Sequence, residues 1–180
     1  MERKEKVLSI EESVKMIKSG DIVAIGGNAM HNHPMALVRE IIRQEKKDLT
    51  LIGGTASSID IDLPVGAGCV KKTMASYIGF EWLGLAPNFR KYVKDGLVEV
   101  WECDESHIIS GLYAASHDLP FMHTKGGIGT DLPRLNPDLK IFRDPINGEE
   151  LIAVPPIKPD VAIILGQYGD VYGNIVHLGS

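Results

Sequence analysis

Short apolar runs alternate with amphipathic segments along most of the chain. Continuous apolar runs predict buried strands, whereas apolar residues three and four positions apart predict one face of a helix. The pattern predicts strands at residues 21–25, 49–52, 72–78, 97–101, 119–122, 139–142, 151–154, 161–165 and 175–178. It predicts helices at residues 9–18, 87–94 and 105–116, with a further helix that begins near Pro34. The rest of the segment 124–148 is rich in Gly, Pro, Asn and Asp and is expected to be an extended loop region.

The ends of the predicted helices carry recognisable signals. Ser9 and Glu12 form a capping box, Gly20 follows the same helix, and Pro34 occupies a favoured first helical position. Strands that alternate with such helices predict an α/β fold with an open, mainly parallel sheet and helices on both of its faces. The length of 180 residues fits a single domain over residues 1–180.

Residues 22–34, IVAIGGNAMHNHP, place a glycine pair between a predicted strand and a predicted helix. Ligands of open parallel sheets bind at the carboxyl ends of the strands, where this loop lies. Gly26 and Gly27 allow the backbone to approach a ligand closely, and the helix that begins near Pro34 favours an anionic group at its N-terminus. A tight turn without a ligand explains the glycines equally well. The segment lacks the spacing of dinucleotide and P-loop motifs, so phosphate, carboxylate and thioester oxyanion all remain open.

A second glycine-rich segment, GGIGT at residues 126–130, follows the strand predicted at 119–122. Its glycines also lack the spacing of the nucleotide-binding motifs. Lys125 and Thr130 are polar neighbours that could contact an anionic ligand. The segment is therefore a second candidate binding loop.

The first loop also contains a His-x-His pair, His31 and His33. Zinc sites usually draw three or four ligands from His, Cys and carboxylate side chains. The other histidines are scattered, at positions 107, 117, 123 and 177. We therefore expect no metal site and interpret the loop histidines as contacts of solvent or ligand. Cys69 and Cys103 lie outside any Cys-x-x-Cys motif, which is typical of reduced thiols in a cytoplasmic protein.

Composition narrows the function classes. Apolar residues make up 44% of the chain, charged residues 24%, and the net charge is −5. A negative net charge argues against a broad surface for nucleic acid or for an anionic membrane. No apolar run approaches the ~20 residues that span a bilayer, and the first twelve residues contain no apolar signal-peptide core.

The window SGDIVAIGGNAMHNHP, residues 19–34, resembles the first signature of the family I coenzyme A transferases. In that signature an Asp-Gly or Asn-Gly pair precedes an apolar run, Gly-Gly-Phe and then Gly-x-Pro. Ser19 stands where Asp or Asn is usual, Asn28 replaces Phe, and Asn32 replaces the later Gly. These departures resemble the branch of the A-type (alpha) subunits of glutaconate CoA-transferase. Three later segments, residues 77–105, 111–133 and 159–179, are similar to the same subunits in the same order.

The resemblance implies a fold of the CoA-transferase (NagB/RpiA-like) class and an enzyme that moves CoA between small organic acids, including dicarboxylic ones. In this family a glutamate attacks the acyl-CoA thioester and then carries CoA as a glutamyl thioester, so CoA and acyl-CoA are substrates and no cofactor is bound. The glutamate lies on the B-type subunit. The chain is therefore expected to be an A-type subunit that works with a B-type subunit, commonly as an A2B2 heterotetramer.

The resemblance also implies that the loop from Gly26 to Pro34 faces the partner's glutamate. The residues expected to bind substrate or CoA are Gly26, Gly27, Asn28, His31, Asn32, Pro34, Ser76, Tyr77, Gly127 and Gly129. For Ser76 and Tyr77, packing at the end of the strand at 72–78 is the alternative interpretation. Glu81 is the alternative nucleophile within this chain, disfavoured because the family carries its carboxylate on the other type of subunit.

Two other functions stay open at this point. Relatives in the same branch hydrolyse or cleave ring-derived CoA thioesters, and the polar residues at 28–33 could position a water molecule. A non-catalytic module that binds CoA or a sugar phosphate could use the same fold. The chain is also short for the glutaconate branch, so it is either a short member or lacks a C-terminal part.

Overall fold

A computed structural model of the chain describes residues 4–178. Its helices are α1 (Ile10–Lys15), α2 (Met35–Arg43), α3 (Ile59–Gly66), α4 (Pro87–Lys94), α5 (Glu105–Ser116) and α6 (Leu132–Leu135). Its strands are β1 (Ile22–Ile25), β2 (Leu49–Ile52), β3 (Val70–Met74), β4 (Glu99–Val100), β5 (Met122–Thr124), β6 (Lys140–Arg143), β7 (Glu150–Val154), β8 (Val161–Ile163), β9 (Tyr168–Gly169) and β10 (Ile175–Val176).

A five-stranded parallel sheet forms the centre, in the order β4-β3-β2-β1-β8. Val23 of β1 lies opposite Leu51 of β2 on one side and Val161 of β8 on the other. The predicted α/β fold with a parallel sheet is confirmed. Because all five strands run the same way, the loops that follow β1, β2, β3 and β8 meet at one edge.

Alternate residues of each strand enter two separate cores. Val23 and Ile25 pack with α1 to α4 on one face, while Ile22 and Ala24 contribute to the core on the other face. The second core contains Ile108 of α5, as the prediction of helices on both faces requires. The same core also contains residues of an antiparallel sheet, β5-β7-β6, which the apolar pattern did not distinguish from the parallel strands.

The antiparallel sheet has a local cause. Asp144 accepts hydrogen bonds from the N–H groups of Ile146 and Asn147, which closes a short turn between β6 and β7. A turn this short joins antiparallel strands, whereas a parallel pair needs a longer crossover. Apolar runs alone carry no information on strand direction, so both arrangements fit the sequence of β6 and β7.

The other differences lie around α3 and at strand ends. No element was predicted at 59–66, because Asp60, Asp62 and Pro64 interrupt the helical pattern there, yet both aspartates are buried in α3. The strand predicted at 72–78 ends at Met74, so Ser76 and Tyr77 lie in a loop rather than on a strand. No helix in residues 4–178 is both long and apolar enough to cross a membrane.

Candidate functional site

Three loops meet at the carboxyl edge of the parallel sheet. They are the β1 loop (residues 26–34), the β2 loop (residues 53–58) and the β3 loop (residues 75–80). The β2 loop, GGTASS, was not predicted to belong to the site. The signal was present in the sequence, because IGG ends β2 as it ends β1.

The β1 loop closes on itself through a tight turn. The N–H of Asn28 donates to the carbonyl of His31 at 3.0 Å, and the N–H of His31 donates back to the carbonyl of Asn28 at 2.8 Å. Gly27, Ala29 and Asn32 have φ values of 120°, 51° and 56°, respectively. The glycine pair is therefore part of a tight turn, and the loop that contains it extends beyond the end of β1.

His33 forms the inner support of this loop. Its Nδ1 lies 3.1 Å from the carbonyl oxygen of Gly26, and its Nε2 lies 2.8 Å from that of Ala29. The residue is only 7% exposed, so the predicted contact with solvent or ligand is wrong for His33. Pro34 is also buried and directly precedes α2, while His31 is exposed, so the two histidines do not converge on a common point. Within residues 4–178 there is no group of three or more metal-ligating side chains.

The glycines are needed because the loops approach one another closely. A Cβ at Gly27 would lie 2.3 Å from the His33 Nδ1, and one at Gly54 would lie 2.9 Å from the carbonyl oxygen of Gly27. A Cβ at Gly26 would lie 2.9 Å from the Ile164 side chain in the loop after β8. Side chains at these positions would force the β1 loop away from its neighbours.

Asn28 and Asn32, where the loop departs from the family signature, connect it to two neighbouring loops. The Thr55 hydroxyl donates to Asn28 Oδ1 at 2.8 Å, and the Gln167 amide donates to Asn32 Oδ1 at 2.9 Å. Both asparagines therefore hold the loop in place, and the exposed Asn28 also lies at the surface of the site.

The β3 loop is bonded to the β2 loop in the same way. The Ser76 hydroxyl donates to the carbonyl of Thr55 at 2.5 Å, and the N–H of Ser57 donates to the carbonyl of Tyr77 at 2.9 Å. Tyr77 is 37% exposed beside these loops. The structure thus brings Ser76 and Tyr77 together with the β1 loop through the β2 loop.

Among the glycines of these three loops, Gly27 and Gly54 carry backbone N–H groups that are available to a ligand. Within residues 4–178, the N–H groups of Gly27 and Gly54 donate to no backbone or side-chain acceptor. Neither residue has a side chain that would keep a ligand at a distance. Paired backbone donors at a strand end can stabilise a carboxylate or a developing oxyanion.

The second glycine loop, residues 124–130, packs elsewhere. The Nε2 of His107 in α5 lies 3.0 Å from the carbonyl oxygen of Gly126, and the Thr130 hydroxyl donates to the carbonyl of Gly127 at 2.7 Å. Gly127 and Gly129 have φ values of 87° and 77°. The second glycine loop thus packs against the start of α5, which follows β4, and β4 lies three strand positions from β1 in the parallel sheet.

Glu81 lies on a loop that projects from the same sheet edge. It begins a short 3-10 helix, Glu81–Leu83, with a φ of 51°, and it is exposed. Trp82, Leu83 and Leu85 are 77%, 71% and 57% exposed, and we call them the 82–85 surface. Large exposed apolar side chains grouped in this way mark interaction surfaces.

Burial raises the pKa of one ionisable group beside these loops and of another after β4. It raises the pKa of the Asp60 carboxyl, against the opposing effect of His33. Burial, with the carboxylates of Asp104 and Glu102, raises the pKa of the Cys103 thiol to about 12. Such a pKa leaves the free Cys103 without a thiolate nucleophile near neutral pH.

A separate concave surface lies on the antiparallel sheet. Its volume is about 530 Å³, and its lining includes Phe121 and Phe142, whose rings meet edge to face at 5.7 Å. None of its lining residues belongs to the β1, β2 or β3 loop. The contacts between the three loops and the available N–H groups of Gly27 and Gly54 favour those loops, rather than this depression, as the candidate site.

Comparison with known proteins identifies the family. Residues 7–180 match the family model described as Coenzyme A transferase. The chain belongs to the coenzyme A transferase family. Its fold superimposes on the crystal structure of glutaconate coenzyme A-transferase from Acidaminococcus fermentans with a TM-score of 0.86 at 28% identity, covering 96% of this chain and 60% of that one.

Among curated relatives of this CoA-transferase family member is the A-type subunit of the 3-oxoadipate CoA-transferase of Pseudomonas knackmussii. It is 38% identical over 177 residues, which cover 96% of this chain and 62% of that protein. The cholesterol ring-cleaving hydrolase IpdA subunit of Rhodococcus jostii is 34% identical, over 98% of this chain and 62% of that protein. The chain thus spans about three fifths of the length of these relatives. The family expected from the glycine loop and the three later segments is confirmed.

Proposed function

We propose that the chain is the A-type subunit of an enzyme that transfers CoA between small carboxylic acids. The observation that carries this proposal is the pair of available N–H groups of Gly27 and Gly54, in a chain that matches the CoA-transferase family over residues 7–180. The names of the related A-type subunits support the same activity.

The chemistry assigns the β1 and β2 loops to the thioester. A glutamate carboxylate on the partner subunit first attacks the thioester carbonyl, whose oxygen becomes an oxyanion, and the CoA thiolate is expelled as the anhydride forms. The thiolate then attacks the glutamyl carbonyl of the anhydride, which releases the acyl group as a carboxylate and leaves a glutamyl–CoA thioester. The N–H groups of Gly27 and Gly54 would donate to the oxygen of the thioester carbonyl while the charge develops. CoA is a substrate in this scheme, and this chain contributes binding and electrostatic stabilisation rather than the nucleophile.

The polar residues of the β1 and β3 loops suggest which class of carboxylic acid is the substrate. Asn28 and His31 are exposed on the β1 loop, and Ser76 and Tyr77 lie beside it. Hydroxyl, amide and imidazole groups suit an acyl group that carries an oxo or second carboxyl function. We therefore propose a functionalised or dicarboxylic acid as substrate, with the second glycine loop, through Gly127 and Gly129, contacting a more distant part of the CoA ester.

The 82–85 surface suggests where a B-type subunit docks. Trp82 and Leu83 are largely exposed and adjoin the β3 loop, so a partner that covers them would also approach the loops of the site. Buried aromatic anchors commonly dominate such interfaces. An A2B2 assembly with the glutamate on the B-type subunit fits this arrangement, and Glu81 then lies beside the partner without acting as the nucleophile.

The deciding experiment is co-expression of the chain with a B-type subunit, followed by incubation with acyl-CoA and treatment with borohydride. We expect CoA transfer only when an acceptor acid is present, and borohydride reduction of a glutamyl thioester on the partner. The matched control is a partner variant with glutamine in place of that glutamate. Loss of the thioester at the same rate without any acceptor acid would replace transfer by hydrolysis, the reaction in the name of the Rhodococcus jostii relative.

The isolated chain provides a second control. Tight binding of CoA or a sugar phosphate by this chain alone, with no activity in the complex, would instead indicate a binding module.

A further inference from the structure

A buried acid–base pair lies behind the β1 loop. His33 Nδ1 is 3.4 Å from Asp60 Oδ2, and the two residues are 7% and 0% exposed. His33 belongs to the β1 loop, whereas Asp60 lies in the first turn of α3, directly after the β2 loop. The pair therefore connects the two loops that carry the available N–H groups.

The hydrogen-bond geometry of His33 favours one protonation state. Both ring nitrogens face carbonyl oxygens, those of Gly26 and Ala29, and a carbonyl can only accept. A neutral imidazole has one donor, whereas the imidazolium has two. The arrangement is thus satisfied by the doubly protonated ring, which places a positive charge inside the protein.

Asp60 supplies the opposite charge. Its Oδ1 accepts from the N–H of Ser58 at 2.6 Å, while its Oδ2 is buried, has no hydrogen-bond partner within residues 4–178, and faces the His33 ring. The hydroxyls of Ser57 and Ser58 are buried beside it without partners in the same part of the chain. A buried charge requires such a counter-charge, because an isolated one carries a large desolvation cost.

The pair acts on the site through the geometry of one peptide group. The carbonyl of Gly26 and the N–H of Gly27 belong to the same planar trans peptide, so they point in opposite directions. Because His33 contacts the Gly26 carbonyl oxygen, the Gly27 N–H points away from the ring. The same ring occupies the space of a Gly27 side chain, so only glycine fits at this position without displacing the ring.

We propose that His33 and Asp60 are positioning residues, whose buried ion pair fixes the Gly26–Gly27 peptide so that the Gly27 N–H is aimed at the reacting thioester oxygen. This inference rests on the proposed function, since it names the support of the donor that the transfer uses. It predicts that the pair affects the chemical step more than the binding of acyl-CoA.

The kinetic test compares the wild-type chain with three variants, H33Q, D60N and the double variant, each in complex with the B-type subunit. We expect H33Q to lower kcat roughly tenfold to hundredfold, less than the loss typical of deleting an oxyanion donor outright, while KM for acyl-CoA changes less than about threefold. The double variant should lose about as much as H33Q alone, because the pair is expected to act as a unit. His117→Gln is the matched control, since His117 is exposed and stacks on Tyr113 at the far end of α5.

NMR spectroscopy of the wild-type chain tests the inference even if a variant fails to fold. In ¹⁵N NMR spectra of the wild-type chain at neutral pH, both ring nitrogens of His33 should be protonated. His107 provides an internal reference, because its Nδ1 accepts from the Asp104 N–H and only its Nε2 can be a donor. A neutral His33 ring, or an unchanged kcat in folded H33Q, would overturn the inference. If the wild-type complex transfers no CoA, the proposed function fails. The NMR spectra still show whether the His33 ring is charged, and therefore whether the ion pair with Asp60 exists.

Discussion

The β1 loop and the second glycine loop look alike in sequence and differ in the hydrogen-bond partners of the histidines that support them. Each follows a strand, and each has a glycine carbonyl bonded to a buried histidine, Gly26 to His33 and Gly126 to His107. His107 accepts from a backbone N–H at its other nitrogen, so a neutral ring satisfies it. His33 instead faces a second carbonyl, although a carboxylate oxygen lies 3.4 Å from the Nδ1 of each ring, that of Asp60 for His33 and that of Asp104 for His107.

The comparison shows that the role of a glycine-rich loop depends on the residues that hold it in place, and not on its glycines alone. Around His107, the contacts belong to the cap of α5: Asp104 accepts from the His107 N–H, and Ser106 donates to Asp104. Around His33, the contacts connect two loops at the sheet edge, while the N–H groups of both Gly27 and Gly127 have no acceptor within residues 4–178. The contacts around His107 stabilise the start of α5. The contacts around His33, in our proposal, position the Gly27 N–H as a donor.

The largest expected contrast is between Gly27→Ala and Gly127→Ala. Both residues have positive φ, but a Cβ would lie 2.3 Å from His33 Nδ1 at Gly27 and 3.1 Å from His107 Cε1 at Gly127. We expect G27A to lower the free energy of unfolding by about 3 kcal/mol and G127A by about 1 kcal/mol, because only the first displaces a ring. Urea unfolding of the full chain measures both, and equal losses would remove the distinction between the two loops.

Association with a B-type subunit tests which loop region faces the partner. Trp82→Ser should weaken the complex at least about tenfold, because an aromatic anchor is lost from the interface. Ile146→Ser is the matched control, since Ile146 is 87% exposed on the turn of the antiparallel sheet. Titration calorimetry with the partner gives both affinities. A weaker complex with I146S but not with W82S would place the partner on the antiparallel sheet.

The charge at the β1 loop should appear in the pH dependence of stability. Burial raises the pKa of Asp60 above its ordinary value, so its contribution to stability is full below the unfolded pKa and is lost as the pH rises through the folded pKa. As the pH rises above about 4, the ordinary pKa of an aspartate, the stability of the wild type relative to D60N should therefore fall. Parallel stability profiles from urea unfolding would show that Asp60 does not titrate in this range.

The smallest expected effect concerns Asn32, whose φ is 56° and whose Oδ1 accepts from Gln167. Asn32→Gly removes the side-chain bond but tolerates the backbone, so we expect a loss of about 0.5 kcal/mol. Asn32→Ala removes the same bond and adds backbone strain, for a loss of about 1 kcal/mol. Thermal unfolding compares the two, and an identical Tm would show that strain at this turn is negligible.

Much of the fold follows from local sequence. The strands β1, β2 and β7 and the helices α4 and α5 lie close to their predicted positions, because their apolar periods and end signals are strong. The segment of α3 was missed because Asp60, Asp62 and Pro64 contradict a helix locally, and tertiary contacts compensate for them. Asp62, for example, accepts from the N–H of Phe89 and the side chain of Asn88 at the start of α4.

Local pattern was sufficient to predict the glycine pair at the end of β1 and the parallel sheet around it, and the resemblance of four segments to the CoA-transferases indicated the family. The folded chain was needed to show that the β2 loop joins the site, that His33 is buried and that Asp60 faces it. His33 and Asp60 are distant in the sequence and meet only when β1 and β2 pair side by side. Such a contact produces no periodic pattern in the sequence, because it depends on the packing of two loops rather than on the conformation of either one.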